Sequence, residues 1–259
     1  MQNLSFLAAV IVSVLPSFVK VPLYRLIYRF KIGKRAKIGF GVVFFGIKRC
    51  RIGDDVRIRH LNLFLHVEDL HIGSRTRIGY LNLFRGGERI EIGPCTTVMR
   101  LNVFNSILEP NAVGRPKPVL SLGAGVVVTT SHWFDFTDRL TIGANTVVGG
   151  RNSSFWTHSR QKTQAVTIGA HCYLGSELRV APGVGLASFC VVALGAVLTG
   201  QYTHPHSLIG GNPAVVKRSL NERDRFFVDG RTTRFSGVTR KAIPAASSRT
   251  ERICVSDHE

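Results

Sequence analysis

Residues 70–84 read Leu70-His71-Ile72-Gly73-Ser74-Arg75-Thr76-Arg77-Ile78-Gly79-Tyr80-Leu81-Asn82-Leu83-Phe84, and the same phrasing returns 20 residues later, from Ile90-Glu91-Ile92-Gly93 to Leu101-Asn102-Val103-Phe104. It also precedes them: Ile32-Gly33 and Ile52-Gly53 keep the same step, and Leu61-Asn62-Leu63-Phe64 opens the second motif. Leu122-Gly123 and Ile142-Gly143 resume the period further on. Self-similarity at a fixed short period is the signature of a solenoid, in which each repeat is one rung stacked on the last.

A finer spacing indicates the kind of solenoid. Aliphatic-Gly pairs recur six residues apart at Ile32-Gly33 and Ile38-Gly39, Ile72-Gly73 and Ile78-Gly79, and Ile168-Gly169 and Leu174-Gly175. The aliphatic side chain is expected to point inward, and the glycine to turn a corner in a conformation that a β-carbon disfavours. Three short faces and three corners make a triangular β-helix of about 18 residues per rung. A 20-residue period then implies one enlarged corner per rung, expected around Phe64, Phe84 and Phe104. Asn62, Asn82 and Asn102 are expected to form a stacked amide ladder.

Lysine and arginine number 34 against 16 aspartates and glutamates, a formal net charge of +18. Such an excess points to anionic partners: nucleic acid, an anionic membrane surface or phosphorylated small molecules. The cations are scattered and carry no aromatic interleaving or helix-turn-helix pattern, so no nucleic-acid partner is expected. The five cysteines, Cys50, Cys95, Cys172, Cys190 and Cys254, show no metal-ligand spacing; most sit in rung-like stretches and read as small core residues, and their odd number fits a reducing cytoplasm.

Residues 1–30 differ from the rest. Leu4 to Val19 carries no charge, contains Pro16, and is followed by Arg25, Arg29 and Lys31. The run is short for a spanning helix of about 20 residues. Peripheral contact with the inner membrane face is one expectation; a helical cap on the solenoid's open end is the other. The solenoid is expected over residues 31–218, and a helix with a partly disordered tail over 219–259. Two interruptions of the period place extra residues near Ser106 to Pro118 and near Trp156 to Ala165. Loops on a rigid scaffold are where function concentrates.

Among nine histidines, His60, His66 and His71 fall in ordinary rung positions. His204 and His206 flank Pro205, and no set converges as a zinc site would require, so no metal is expected. His158 lies in the second interruption and His132 one rung earlier. Both are candidates to accept a proton near neutral pH. Asp135 and Asp138 are candidates to orient an imidazole. With Trp133 and Trp156 they are also assigned to the acceptor side of the site.

Val166-Thr167-Ile168-Gly169-Ala170-His171-Cys172-Tyr173-Leu174-Gly175-Ser176, Val180-Ala181-Pro182-Gly183 and Gly210-Gly211-Asn212-Pro213-Ala214-Val215-Val216-Lys217 together resemble the hexapeptide-repeat acyltransferases, in particular the maltose, galactoside and colanic-acid O-acetyltransferases. The motif match covers roughly residues 120–218. The resemblance implies a left-handed parallel β-helix, a homotrimer, and acetyl-CoA bound between subunits. It places the catalytic base on His158 and an oxyanion-stabilising backbone N–H at Ser176. Ala193, Leu194 and Gly195 would line CoA, and Lys217 with Arg218 would approach its phosphates. The chain departs from the pattern at Thr199-Gly200, where relatives often carry Thr-Lys, and in a shorter loop after His158. The expected activity is O-acetylation of a sugar hydroxyl in polysaccharide or glycolipid assembly. N-acylation of an amino sugar and a non-catalytic, membrane-associated scaffold are the alternatives.

Overall fold

The computed structural model describes residues 6–107 and 116–229. Across them the chain winds through three parallel sheets that form the faces of a triangular β-helix. The first face runs from Lys31–Ile32 to Gln201–Tyr202, the second from Lys37–Ile38 to Ser207–Gly211, and the third from Val43–Phe45 to Val197–Leu198. Register follows the repeat. Ile32, Ile52, Ile72 and Ile92 pair in sequence on the first face, and Ile38, Ile58, Ile78 and Val98 on the second.

The third face is an aromatic column. Phe44, Phe64, Phe84, Phe104, Phe134 and Phe155 stack with successive centroids 4.8, 4.7, 4.7, 4.6 and 4.8 Å apart. The separation equals the strand spacing of a parallel ladder, so the backbone imposes the stacking. This corrects the placement of the enlarged corner. Phe64, Phe84 and Phe104 sit within strands, fully buried. Ile32 to Ile38 and Ile38 to Phe44 are six residues each, whereas Phe44 to Ile52 is eight. The two additional residues therefore follow each phenylalanine, at the corner leading back to the first face. In the later rung that pairs Ile168 with Leu186, the corner shrinks and the period falls to 18.

The glycines act otherwise than expected. Gly73 and Gly93 do not adopt a positive φ. A β-carbon on Gly73 would lie 2.5 Å from Pro94 N, and one on Gly93 would lie 2.6 Å from Ala124 N. Close approach of the next rung excludes the side chain. The left-handed positions at this corner are held instead by Arg35, Asp55, Arg75 and Cys95, with φ of 54 to 60°.

The asparagine ladder forms as expected. Asn82 donates from N and Nδ2 to Asn62 Oδ1 (2.9 and 3.0 Å), and Asn102 does the same to Asn82 Oδ1 (3.0 and 3.1 Å). All three are buried. Each amide satisfies turn groups that the stacked rungs hide from water.

Helices close both ends. α1 (Phe6–Ser13) and α2 (Ser17–Leu26) cover the first rung, with Tyr24 set edge-on against Phe44 at 5.3 Å. Lys20 is fully buried and its Nζ donates to Ser13 O and Gly39 O, both at 2.7 Å. Burial lowers its pKa to about 8. At the other end the strand Ala214–Ser219 turns back antiparallel onto the second face. α3 (Glu222–Val228), started by an Asn221–Asp224 capping box, then buries Val228 with Val191 and Leu220. Cys50, Cys172 and Cys190 are buried core residues.

Candidate functional site

Both interruptions of the period emerge at the corner between the third and first faces. Phe104 to Leu122 spans 18 residues and Phe155 to Ile168 spans 13, against eight in a regular rung. Residues 108–115 of the first lie outside the described part. The second is described throughout and folds back on itself through a bridge between His158 and Thr163.

Asp135 is the centre of this corner and is 1% exposed. Its Oδ1 accepts from Thr137 Oγ1 (2.7 Å). Its Oδ2 accepts from Thr157 N (2.9 Å), Thr157 Oγ1 (2.7 Å) and His158 N (3.1 Å). His158 Nδ1 lies 3.0 Å from the same oxygen. An oxygen already accepting from three other donors faces a donor here as well, so the proton sits on Nδ1. Nε2 then carries the free lone pair, and the side chain remains 16% accessible. A buried carboxylate holding a partly exposed imidazole in one tautomer is the arrangement of a general base.

Thr157 and Thr137 were not identified from the sequence. Each is buried and holds the carboxylate from a different rung. The Thr157 contacts arise only when the second interruption folds over Asp135, so no local pattern announces them; the Asp135-Phe136-Thr137 spacing is local and could have signalled Thr137. Asp138 does not reach the imidazole. Its Oδ1 accepts from Lys117 N (3.1 Å) and Arg139 N (2.8 Å), and its own N–H donates to Thr157 Oγ1 (3.0 Å). It anchors the return of the first interruption. Asp135, being buried, serves the histidine and cannot line an acceptor pocket. Trp133 and Trp156 stack with centroids 6.0 Å apart at 28°, about a third exposed, and form a flat apolar surface, Trp156 preceding His158 by two residues in the chain.

His132 belongs to the ladder. Its backbone N donates to Asn102 Oδ1 (3.0 Å), so it stands where the next asparagine would be. Ser153 N–H donates to His132 Nδ1 (3.1 Å). Nε2 lies 2.9 Å from Thr129 Oγ1, whose own hydrogen is directed to Val148 O or Gly150 O. Both ring nitrogens are engaged, and burial lowers the pKa to about 4. The geometry leaves His132 no free nitrogen for base catalysis.

Ser176 and Ala193, Leu194 and Gly195 come together, but at the corner between the second and third faces. Gly195 N donates to Ser176 O (3.0 Å). Leu194 is 69% exposed, and a β-carbon on Gly195 would meet nothing within 4 Å. A β-carbon on Gly210 would touch Ala193 Cβ at 3.0 Å, and one on Gly211 would lie 3.4 Å from Lys217 Nζ, so the lysine stands beside this corner. Arg218 pairs instead with Asp224 of α3. Open small residues, one exposed leucine and a nearby ammonium fit a nucleotide thioester, whose pantetheine arm is slender and whose phosphates are anionic. Within one chain this corner and His158 lie at opposite edges of the third face.

Among the described residues no three His, Cys, Asp or Glu side chains converge as a metal site. A cleft of about 560 Å³ on the first face, lined by Arg49, Glu68, Arg89 and Arg139 among others, does not include His158.

No family model matches the chain, and no curated protein matches its sequence. Among solved structures, the polysialic acid O-acetyltransferase OatWY is similar over 73% of this chain and 88% of its own, at 12% identity and a TM-score of 0.34. The N-acyltransferase AntD from Bacillus cereus is similar over 74% and 85%, at 13% identity and 0.37. An Arabidopsis UDP-N-acetylglucosamine acyltransferase is similar over 75% and 72%, at 13% identity and 0.39. Likeness at these values carries no argument about the site, which rests on its own geometry.

Proposed function

We propose that the protein is an acyltransferase that moves an acetyl group from acetyl-CoA to a hydroxyl of a saccharide or glycolipid. The observation that carries this reading is the His158–Asp135 pair, a partly exposed histidine fixed in one tautomer by a buried carboxylate, with Nε2 left free. Trp133 and Trp156 offer the flat apolar surface on which a sugar ring stacks.

Acyl-CoA, when bound, supplies an activated carbonyl and a thiolate leaving group. His158 Nε2 takes the acceptor hydroxyl proton as the oxygen forms its bond to that carbonyl carbon. The carbon–sulfur bond breaks, and the same proton passes from Nε2 to the departing sulfur. Asp135 holds Nδ1–H throughout and stabilises the transient imidazolium. A backbone N–H at the Ser176 corner is assigned to the developing oxyanion. Because that corner and His158 lie on different edges, the site is built from two chains, and a closed homotrimer supplies three such pairings.

The test is thiol release from acetyl-CoA with a panel of saccharide acceptors. His158→Ala is expected to lower kcat by about 10² to 10⁴ with little change in KM for acetyl-CoA. Asp135→Asn, which removes the fixed acceptor for Nδ1–H, is expected to lose a comparable factor. Equal rates for wild type and His158→Ala would overturn the assignment. Absence of transfer to every acceptor would favour a non-catalytic scaffold.

A further inference from the structure

The N-terminal cap is apolar on its outer side as well as on its inner one. α1 turns Ala9 and Ser13 toward the solenoid and leaves Leu7 and Ile11 outside, 67 and 56% exposed; Val14, just past its end, is 48% exposed, and Phe6, 53% exposed, sets its ring edge-on against Phe45 at 5.3 Å. α2 buries Lys20 and exposes Phe18 and Leu26, each at 80%. A cap that faces water carries a polar outer surface. This one buries Val21 and Tyr24 against the first rung and directs its central ammonium inward onto two carbonyls, yet it also leaves Phe18 and Leu26 outside.

The apolar surface continues onto the solenoid. Phe40 is 54% exposed and accepts the backbone N–H of Leu61. Leu61, Leu81 and Leu101 form a ridge on successive rungs, each close to half exposed, with φ of 60, 58 and 59°. Turn chemistry favours glycine or asparagine at such positions. Three strained, exposed leucines in a row extend a contiguous patch of the kind that marks an interaction surface.

Cations edge the patch. Where the cap meets the second face, a hollow of about 500 Å³ is lined by Lys37, Arg57, Arg59 and His60 together with Val14 and Phe40, and no carboxylate is among its lining residues. Arg25 and Lys31 are exposed nearby in the chain. A second copy of this chain seated here through the same patch would set these cations against one another.

We propose that α1, α2 and the Phe40–Leu61 corner seat the protein on an anionic phospholipid bilayer. The outward apolar side chains enter the boundary between headgroups and acyl chains, and Lys37, Arg57 and Arg59 hold lipid phosphates. Attachment is interfacial. Among the described residues no helix is long and apolar enough to cross a membrane, and α1 and α2 have 8 and 10 residues.

The experiment is co-sedimentation of the full chain with phosphatidylcholine vesicles, with and without about one third phosphatidylserine, at physiological salt. Binding is expected with the anionic vesicles and to be at least tenfold weaker with the neutral ones. Each neutralised cation is expected to cost about fivefold in partition, so Lys37→Gln/Arg57→Gln/Arg59→Gln loses roughly a hundredfold. Phe18→Ser/Leu26→Ser is expected to release the protein while its circular dichroism and melting remain those of the wild type. Millimolar inorganic phosphate is not expected to compete. Recovery of the wild type in the supernatant with both vesicle types overturns the proposal. Displacement by inorganic phosphate reassigns the hollow to a soluble anion and overturns it too. If Phe18→Ser/Leu26→Ser lowers the mass seen by light scattering, the patch joins copies of this chain and the membrane assignment falls.

Discussion

His132 and His158 are the same residue type in neighbouring rungs, and their surroundings separate them. His158 Nδ1 meets a buried carboxylate and its Nε2 stays free. His132 has Ser153 N–H on one nitrogen and Thr129 Oγ1 on the other. Its pKa is lowered to about 4, below the unfolded value of about 6.5. Between those values the unfolded chain binds the proton and the folded chain does not, so stability present above pH 6.5 is lost as pH falls toward 4. Integrated over that window, the effect is on the order of 3 kcal/mol. His132→Asn restores the amide of the preceding rungs and is expected to flatten this acid limb in denaturant titrations between pH 7 and 4. A limb unchanged in His132→Asn would show that another group controls it. The sequence offered both histidines as candidates and favoured His158 for its loop and by resemblance; it did not show why His132 is excluded, because Ser153 and Asp135 lie 21 and 23 residues from the imidazoles they meet, one rung away in space.

At the scale of elements, the strands are two to six residues long and have little stability of their own. Stacking supplies it. Each buried phenylalanine contacts the one above and the one below, so removing one affects two interfaces. Phe84→Ala is expected to destabilise the chain by about 3 to 5 kcal/mol, and Phe84→Leu by less, because leucine fills more of the cavity. Urea midpoints with unchanged slope would measure this; an effect under about 1 kcal/mol would mean that the column is not a principal source of stability. The amide ladder was legible in the Leu-Asn-Leu-Phe phrase, since a fixed period brings like residues into register; the aromatic column was not, because the same phrase placed its phenylalanines at an enlarged corner rather than inside a strand. The reason for the Ile-Gly pairs was not. It depends on the distance to the next rung's backbone, which sequence periodicity does not encode.

At the scale of the whole molecule, the two candidate corners lie at opposite edges of the third face. His158 occupies the edge between the third and first faces, and Ser176 with Leu194 the edge between the second and third. If the site forms between chains, two inactive variants should rescue each other. His158→Ala is defective at one edge and Leu194→Asp at the other. Mixed and reassembled, they should recover a fraction of wild-type activity, because some interfaces unite two intact edges. No recovery from a mixed assembly verified by mass would place the complete site within one chain. Light scattering of the wild type near 28.5 kDa, the single-chain mass, would count against the trimer directly.

The 20-residue period determined the solenoid, its register and its amide and aromatic ladders, because a stacked fold translates sequence spacing into spatial neighbours with little else required. The interruptions of the period marked where the histidine loop would leave the scaffold. Tertiary structure decided which carboxylate holds His158: Asp135 lies beneath the folded loop and Asp138 faces the other interruption. It also decided that His132 is a rung of the ladder and that the N-terminal helices leave Leu7, Ile11, Phe18 and Leu26 exposed while burying Val21 and Tyr24. Those outcomes depend on which atoms meet across rungs and on which side of a helix finds room against the first rung. Both are distances in space that the order of residues alone does not contain.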